Sequence, residues 1–269
     1  MPRLTTALAF LLLVVAGCTT SPTGRSQFML ISPDAAIAES RVAYTSTVRQ
    51  LEQQDRLLDD PFLADRVGTV TGRLVAETVR LYPHTADWRW SVALIDGPET
   101  VNAWCMAGGR MAIYSGLVHK LDLTDDELAQ VMGHEISHAV ANHTAERMSL
   151  ALAQGLGVLT VTAATEHRGL GQGAALAAVL ALQLPNSRTA ESEADRMGFE
   201  IAARAGYEPL AALTLWQKMQ RHGGSRQPEF LSTHPSPGNR QLTLAGYIPQ
   251  MRELAPAAPP RPHPVTILP

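Results

Sequence analysis

Val131-Met132-Gly133-His134-Glu135-Ile136-Ser137-His138-Ala139-Val140 reads as the middle of one helix. Thr124 with Glu127 three positions on makes a capping box, so the helix starts there. Leu128, Met132, Ile136 and Val140 recur every four residues, which is a buried helical stripe. Four residues on an α-helix turn through about 400°, so His134 and His138 share a face about 40° apart, roughly opposite that stripe. Two imidazoles arranged this way can grip one Zn²⁺, leaving Glu135 beside them to handle protons. The competing reading is a pair of solvated histidines on an amphipathic helix. It is disfavoured because Ile136, Ser137 and the flank from Val131 to Gly133 are uncharged, where a solvated face would carry Lys, Arg or Glu.

The chain has 269 residues, room for one substantial domain plus appendages. A net charge of −3 leaves no basic footprint, which argues against nucleic acid as a partner. Of the two cysteines, Cys18 and Cys105, neither belongs to a Cys-x-x-Cys pair, so a disulfide scaffold and a Cys-rich zinc finger are both excluded.

The amino terminus reads as an address. Arg3 supplies a short positive region, and Ala7 to Ala16 is an apolar run too short to span a membrane and suited to a secretory signal. Val15-Ala16-Gly17-Cys18 resembles a bacterial lipobox, which implies cleavage before Cys18 and its lipidation. Thr19 rather than Asp follows the cysteine, and by that resemblance the anchor belongs to the outer membrane, facing the periplasm. Several acyl chains on one cysteine anchor stably, each buried CH₂ contributing about 0.8 kcal/mol. Residues 1–17 are therefore expected to be a signal peptide, 18–32 a lipidated cysteine and polar tether, 33–250 the folded domain, and 251–269 a tail too rich in proline to pack.

Within the domain, helical patterns run from Pro33 to Asp60 and from Pro61 to Tyr82. Trp88 to Ile95 alternates like a strand, and Val101–Met106 with Arg110–Ser115 forms a hairpin around Ala107-Gly108-Gly109. Met148 to Leu184 is long and weakly charged. A membrane hairpin is one reading, but Gln154, Gln172 and several Gly and Thr dilute both arms, which favours helices packed on the domain. Further helices are expected over Thr189–Ala205 and Pro209–Arg221, with a last short one ending near Tyr247.

A zinc site built on two histidines needs a third protein ligand. Candidates are His143, His167 and the cluster Glu191-Ser192-Glu193-Ala194-Asp195. His143 falls about 140° around the helix from His138 and should face elsewhere. Glu191 and Asp195 share a helical face, whereas Glu193 is rotated about 200° from Glu191 and is expected to face outward. Of two carboxylates one turn apart, one can bind metal while the other holds a ligand imidazole by its free N–H.

His134-Glu135-x-x-His138 followed by Glu191-x-x-x-Asp195 resembles the gluzincin metallopeptidases, the family of HtpX, the CAAX prenyl endopeptidases, the Oma-type proteases and the BepA-like proteins. Pro22-Thr23-Gly24-Arg25, Asn102-Ala103-Trp104 before Gly108-Gly109, and Thr233-His234-Pro235 fit the same pattern, so the resemblance runs from about residue 22 to 247. One departure is Ala107, where many relatives carry proline. The resemblance implies a mainly helical α+β, zincin-like domain with a small sheet or hairpin beside the active-site helix. It also implies one zinc ion held by His134, His138 and Glu191, with Asp195 behind a ligand and Glu135 catalytic. Asn102 and Trp104 lie on a strand suited to be a sheet edge that an extended peptide could join, although ordinary strand packing explains them equally well. His234 resembles a histidine that BepA-like proteins bring to the zinc in a self-inhibited state.

The function implied is an endopeptidase acting on misfolded or stalled envelope proteins. A non-catalytic, chaperone-like lipoprotein assisting outer-membrane protein assembly is the alternative, and Glu135 argues against it because a pure binding module has no need of that carboxylate. A zinc hydrolase of lipid or cell-wall amides shares the chemistry, and the resemblance alone disfavours it.

Overall fold

The computed structural model describes residues 18–162, 186–223, 229–235 and 239–268. A hairpin of β1 (Cys18–Thr20) and β2 (Ser26–Phe28) leads into α1 (Pro33–Gln53) and α2 (Pro61–Leu81). A single 3₁₀ turn precedes β3 (Ser91–Ile95), β4 (Ala103–Met106) and β5 (Arg110–Tyr114). The helices α3 (Ser115–Lys120), α4 (Asp125–Val140), α5 (His143–Thr162), α6 (Arg188–Arg204), α7 (Ala211–Gly223), α8 (Glu229–Thr233) and α9 (Arg240–Glu253) follow, and β6 (Thr266–Leu268) closes the chain. The fold is mainly helical with small sheets, as expected. The signal peptide, His167, the end of the first arm and the whole second arm of the Met148–Leu184 segment lie outside the described residues. Among the described residues no helix is long and apolar enough to cross a membrane.

Local chemistry sets the helix starts. Asp60 accepts hydrogen bonds from the N–H groups of Phe62 and Leu63, with Pro61 in the first turn where its missing N–H costs nothing. At α4 the Thr124 hydroxyl accepts from the Glu127 N–H, and the Glu127 carboxylate accepts from the Thr124 N–H, which is the capping box read from the sequence. The stripe Leu128, Met132, Ile136 and Val140 is fully buried, as is the α2 stripe from Val67 to Thr78.

The main sheet has the order β4-β5-β3-β6. β4 and β5 form the expected antiparallel hairpin, with β4 at the sheet edge, and β5 runs parallel to β3. Gly109 makes the hairpin turn possible, because its φ is +77° and a Cβ there would sit 2.4 Å from the Trp90 ring. The strand expected over Trp88–Ile95 is shorter, and all five residues of β3 are buried. Helices and loops cover both of its faces, so alternation at Trp88 and Trp90 does not mark an exposed side.

α4 runs through the middle, against β4 on one side and α2, α6 and α7 on others. Its contact with α6 is at backbone distance. A Cβ on Gly198 would lie 2.6 Å from the His134 backbone nitrogen and 2.8 Å from the Gly133 carbonyl oxygen. Gly133 and Gly198 thus let two helices touch where side chains would hold them apart. The helices run in opposite directions at this point, which brings the first turns of α6 beside His134 and His138.

Two expectations about the ends of the domain are corrected. Residues 18–32 are not a free tether. Gln27 donates to the Ala141 carbonyl at 2.7 Å, and the Ser149 hydroxyl accepts from the N–H groups of both Leu30 and Ile31 at 2.9 Å. The polar composition that suggested a solvated linker is used on partners more than a hundred residues away. The Pro-rich tail also packs. α9 continues past Tyr247 to Glu253, the His263 N–H donates to the Gly72 carbonyl at 2.9 Å, and β6 pairs in parallel with β3 as Ser91↔Thr266. Prolines hold this segment extended at low entropic cost, while Val265 and Ile267 supply the apolar contacts.

Candidate metal centre

Four buried side chains converge at the α4–α6 contact. His134 Nε2 lies 3.0 Å from His138 Nε2, and Glu191 of α6 brings its carboxylate oxygens 3.4 and 3.3 Å from those two nitrogens. His234, just past α8, completes the group, its Nδ1 lying 3.2 Å from His134 Nε2 and 3.0 Å from Glu191 Oε1. One ligand atom from each residue falls within 4.8 Å of all the others. Its ring stacks on Phe230 with centroids 4.4 Å apart. His234 follows the last residue of α8, outside the helix, and its N–H donates to the Phe230 carbonyl.

The donor set fits a metal such as zinc. Three imidazole nitrogens and one carboxylate oxygen are borderline ligands of the type zinc takes. His134 Nε2 faces two ring nitrogens and a carboxylate oxygen at once, more than a single N–H can satisfy. The surrounding charge agrees. Burial pulls His134 down, but Asp195 and Glu191 outweigh it and push its pKa up to about 10. Burial dominates at His138 and holds it well below the ordinary value. Burial alone would raise Glu191, yet His134, His138 and His234 keep its carboxyl far below the usual carboxylate range.

Around these four, Asp195 lies 3.0 Å from the outer nitrogen of His134, at contact distance though not aligned as a hydrogen bond. Arg240 was not singled out from the sequence. Its guanidinium donates to Glu191 Oε2 at 2.7 Å and also to Asp195, while lying 4.0 Å over the Trp216 ring. A single sequence offers no signal for it, since it sits 45 and 49 residues from these partners.

Two orientations are corrected. Glu193 is buried, not outward. The phase was right, since it points away from Glu191, but the far side of α6 is covered by the β1–β2 hairpin. There Glu193 accepts from Ser21, Thr23 and Arg25, the last at 2.7 Å. His143 does not face elsewhere. α4 ends at Val140 and Asn142 has a φ of +58°, so the helical phase does not carry across. His143 turns back to place Nδ1 2.7 Å from His138 Nδ1, with its Nε2 3.0 Å from Glu193.

Glu135 is buried, its Oε1 has no hydrogen-bond partner, and burial raises its carboxyl above the ordinary value. It lines a cleft of about 450 Å³ together with His138, His234, Asn102, Trp104 and Tyr114. The edge strand β4 therefore forms one wall. Asn102 is occupied locally, accepting from the Ala103 N–H and donating to Glu229, and Trp104 packs edge-on against Tyr44.

Residues 65–248 match Peptidase family M48. The chain belongs to that family. The M48 match takes in all four converging residues, Glu135, Asp195 and Arg240, but not the β1–β2 hairpin. The chain is 32% identical over 241 residues to the mitochondrial metalloendopeptidase OMA1 of Bos taurus, covering 85% of this chain and 45% of that protein. It is 32% identical to the mitochondrial metalloendopeptidase OMA1 of Arabidopsis thaliana, covering 75% of this chain and 39% of the relative. With the beta-barrel assembly-enhancing protease of Escherichia coli (strain K12) it shares 31% identity over 77% of this chain and 43% of that protein. The chain thus spans less than half the length of these three relatives.

Proposed function

We propose that this M48 chain is a zinc-dependent endopeptidase, with zinc held by His134, His138 and Glu191. The observation that carries the reading is a convergent His, His, Glu and His group beside the buried carboxylate of Glu135, whose Oε1 makes no hydrogen bond and lies 3.4 Å from His234 Nε2, on a cleft walled by an edge strand. Zinc, when bound, acidifies water to a pKa of about 7 and polarises a peptide carbonyl. Glu135 accepts the proton of the attacking water and returns it to the leaving amine, a task that suits a carboxyl raised by burial. The outer edge of β4, unpaired among the described residues, offers backbone groups to an extended peptide, which gives affinity with little sequence preference. The test is metal analysis and casein digestion by the purified chain, with and without chelator. Stoichiometric zinc and chelator-sensitive cleavage are expected, and casein left intact by zinc-loaded protein would favour the chaperone-like alternative.

His234 is read as a resting gate, because its Nδ1, 3.2 Å from His134 Nε2 and 3.0 Å from Glu191 Oε1, would serve as a further ligand and keep water from a bound zinc. His234→Ala is expected to retain zinc and cleave casein several-fold faster. Activity falling in step with lost zinc would make His234 a supporting ligand instead.

The substrates proposed are misfolded or stalled envelope proteins, in keeping with the E. coli relative, a beta-barrel assembly-enhancing protease. The proposed place is the periplasmic face of the outer membrane, through lipid on Cys18. Cys18→Ala should then leave the membrane fraction or stop maturing, and unchanged fractionation would reject the anchor.

A further inference from the structure

We propose that Glu193 and His143 form a positioning relay that fixes the tautomer of His138, and that the β1–β2 hairpin is thereby part of the metal centre. The inference rests on the zinc reading above and concerns residues that reading does not use.

The chain of contacts leaves little freedom. Glu193 is an acceptor-only carboxylate when ionised, and it is surrounded by donors, with Ser21 and Thr23 on Oε1 and Arg25 on Oε2. His143 Nε2, 3.0 Å from Glu193 Oε2, must therefore carry the proton of that contact. A neutral imidazole has one N–H, so His143 Nδ1 is a bare lone pair. His138 Nδ1 lies 2.7 Å from it and must donate. That leaves His138 Nε2 as a lone pair directed at His134 and Glu191, which is what a metal ligand requires. The opposite tautomer would put a hydrogen into the centre of the site.

The two ligand imidazoles are thus supported differently. His134 has a carboxylate, Asp195, directly at its outer nitrogen, whereas His138 reaches its carboxylate through a second imidazole. The remote end of the relay is the hairpin that begins at Cys18. Arg25 bridges Glu193 and Glu146, so it ties the hairpin to both α6 and α5. Ser21, Thr23 and Arg25 of the hairpin lie outside the segment 65–248 that matches the family, whereas His143, Glu146 and Glu193 lie inside it.

The test is zinc affinity by chelator competition on the full chain, for wild type, His143→Leu, His143→Gln and Glu193→Ala. Long-range ¹H–¹⁵N spectra of the metal-free proteins read the His138 tautomer. His143→Leu is expected to weaken zinc binding by about 10- to 100-fold and let His138 populate the Nε2–H form. His143→Gln should recover most of the affinity, because the amide oxygen can accept from His138 while its NH₂ donates to Glu193. Glu193→Ala should also shift the tautomer, and it decides the matter if His143→Leu does not fold. A merely structural role would lower melting temperature without moving the tautomer. Wild-type affinity and an unchanged tautomer in the folded variants would overturn the relay while leaving the zinc site standing. A wild type that binds no zinc would instead overturn the metal reading, and the relay with it.

Discussion

Glu135→Gln is expected to bind zinc as wild type does and to lose peptidase activity by about 10²- to 10⁴-fold, the share that a positioned general acid–base contributes. The substitution keeps the shape of the side chain and leaves His134, His138 and Glu191 untouched. It removes only the group that can accept and return a proton. Folding should not suffer, and the reason lies in the sign of the titration. Burial raises the Glu135 carboxyl above its ordinary value, so the folded state favours its protonated form. Any stability that preference contributes is present below the unfolded carboxyl value and is lost as pH rises through the raised one. Wherever Glu135 is ionised in the folded state its burial costs stability, and a neutral amide removes that cost. The metal-free variant should melt no lower than metal-free wild type. Casein cleavage within a few-fold of wild type would reject the proposed role of Glu135, whatever the metal content.

His134, Glu135 and His138 were legible because their relation is local. Four residues on a capped helix determine which faces coincide, and nothing distant has to be known. The same rule puts Glu191 and Asp195 on one face, the family resemblance is what assigns them to the site, and both lie beside His134. Glu193 shows where periodicity stops. Its angle on α6 was correct, but an angle says nothing about whether solvent or another element lies beyond. His143 departs for a different reason, since the left-handed backbone of Asn142 resets the helical phase that an unbroken helix would carry on from His138. Arg240 has no local signature, and Arg25 stands in the quoted Pro22–Arg25 motif with nothing to indicate its partners, because each acts on carboxylates 45 to 168 residues away. The carboxy-terminal segment was misread through composition. Proline content marks a chain that cannot form a helix, yet an already extended segment is well suited to lie across α2 and end as an edge strand.

Glu191→Ala is expected to abolish stoichiometric zinc and to destabilise the metal-free fold as well. Three imidazoles face this carboxylate, and Arg240 donates to it at 2.7 Å while almost wholly buried. Removing the acceptor from a buried ion pair leaves the other charge uncompensated, a loss typically of about 3–5 kcal/mol. Arg240 keeps its bond to Asp195, which places the expected loss toward the lower end of that range. A lower melting temperature alone would not distinguish a ligand from a buried counter-ion, so Glu191→Gln is the decisive partner variant. Gln keeps the volume and can still accept from Arg240 through its amide oxygen, which should return much of the stability. It is a weaker metal donor because it carries no charge, and zinc affinity should remain far below wild type. The two quantities then separate, with stability following the hydrogen bond and metal following the charge. Full zinc occupancy in Glu191→Ala would remove Glu191 from the ligand set and leave three histidines, with His234 promoted from gate to ligand.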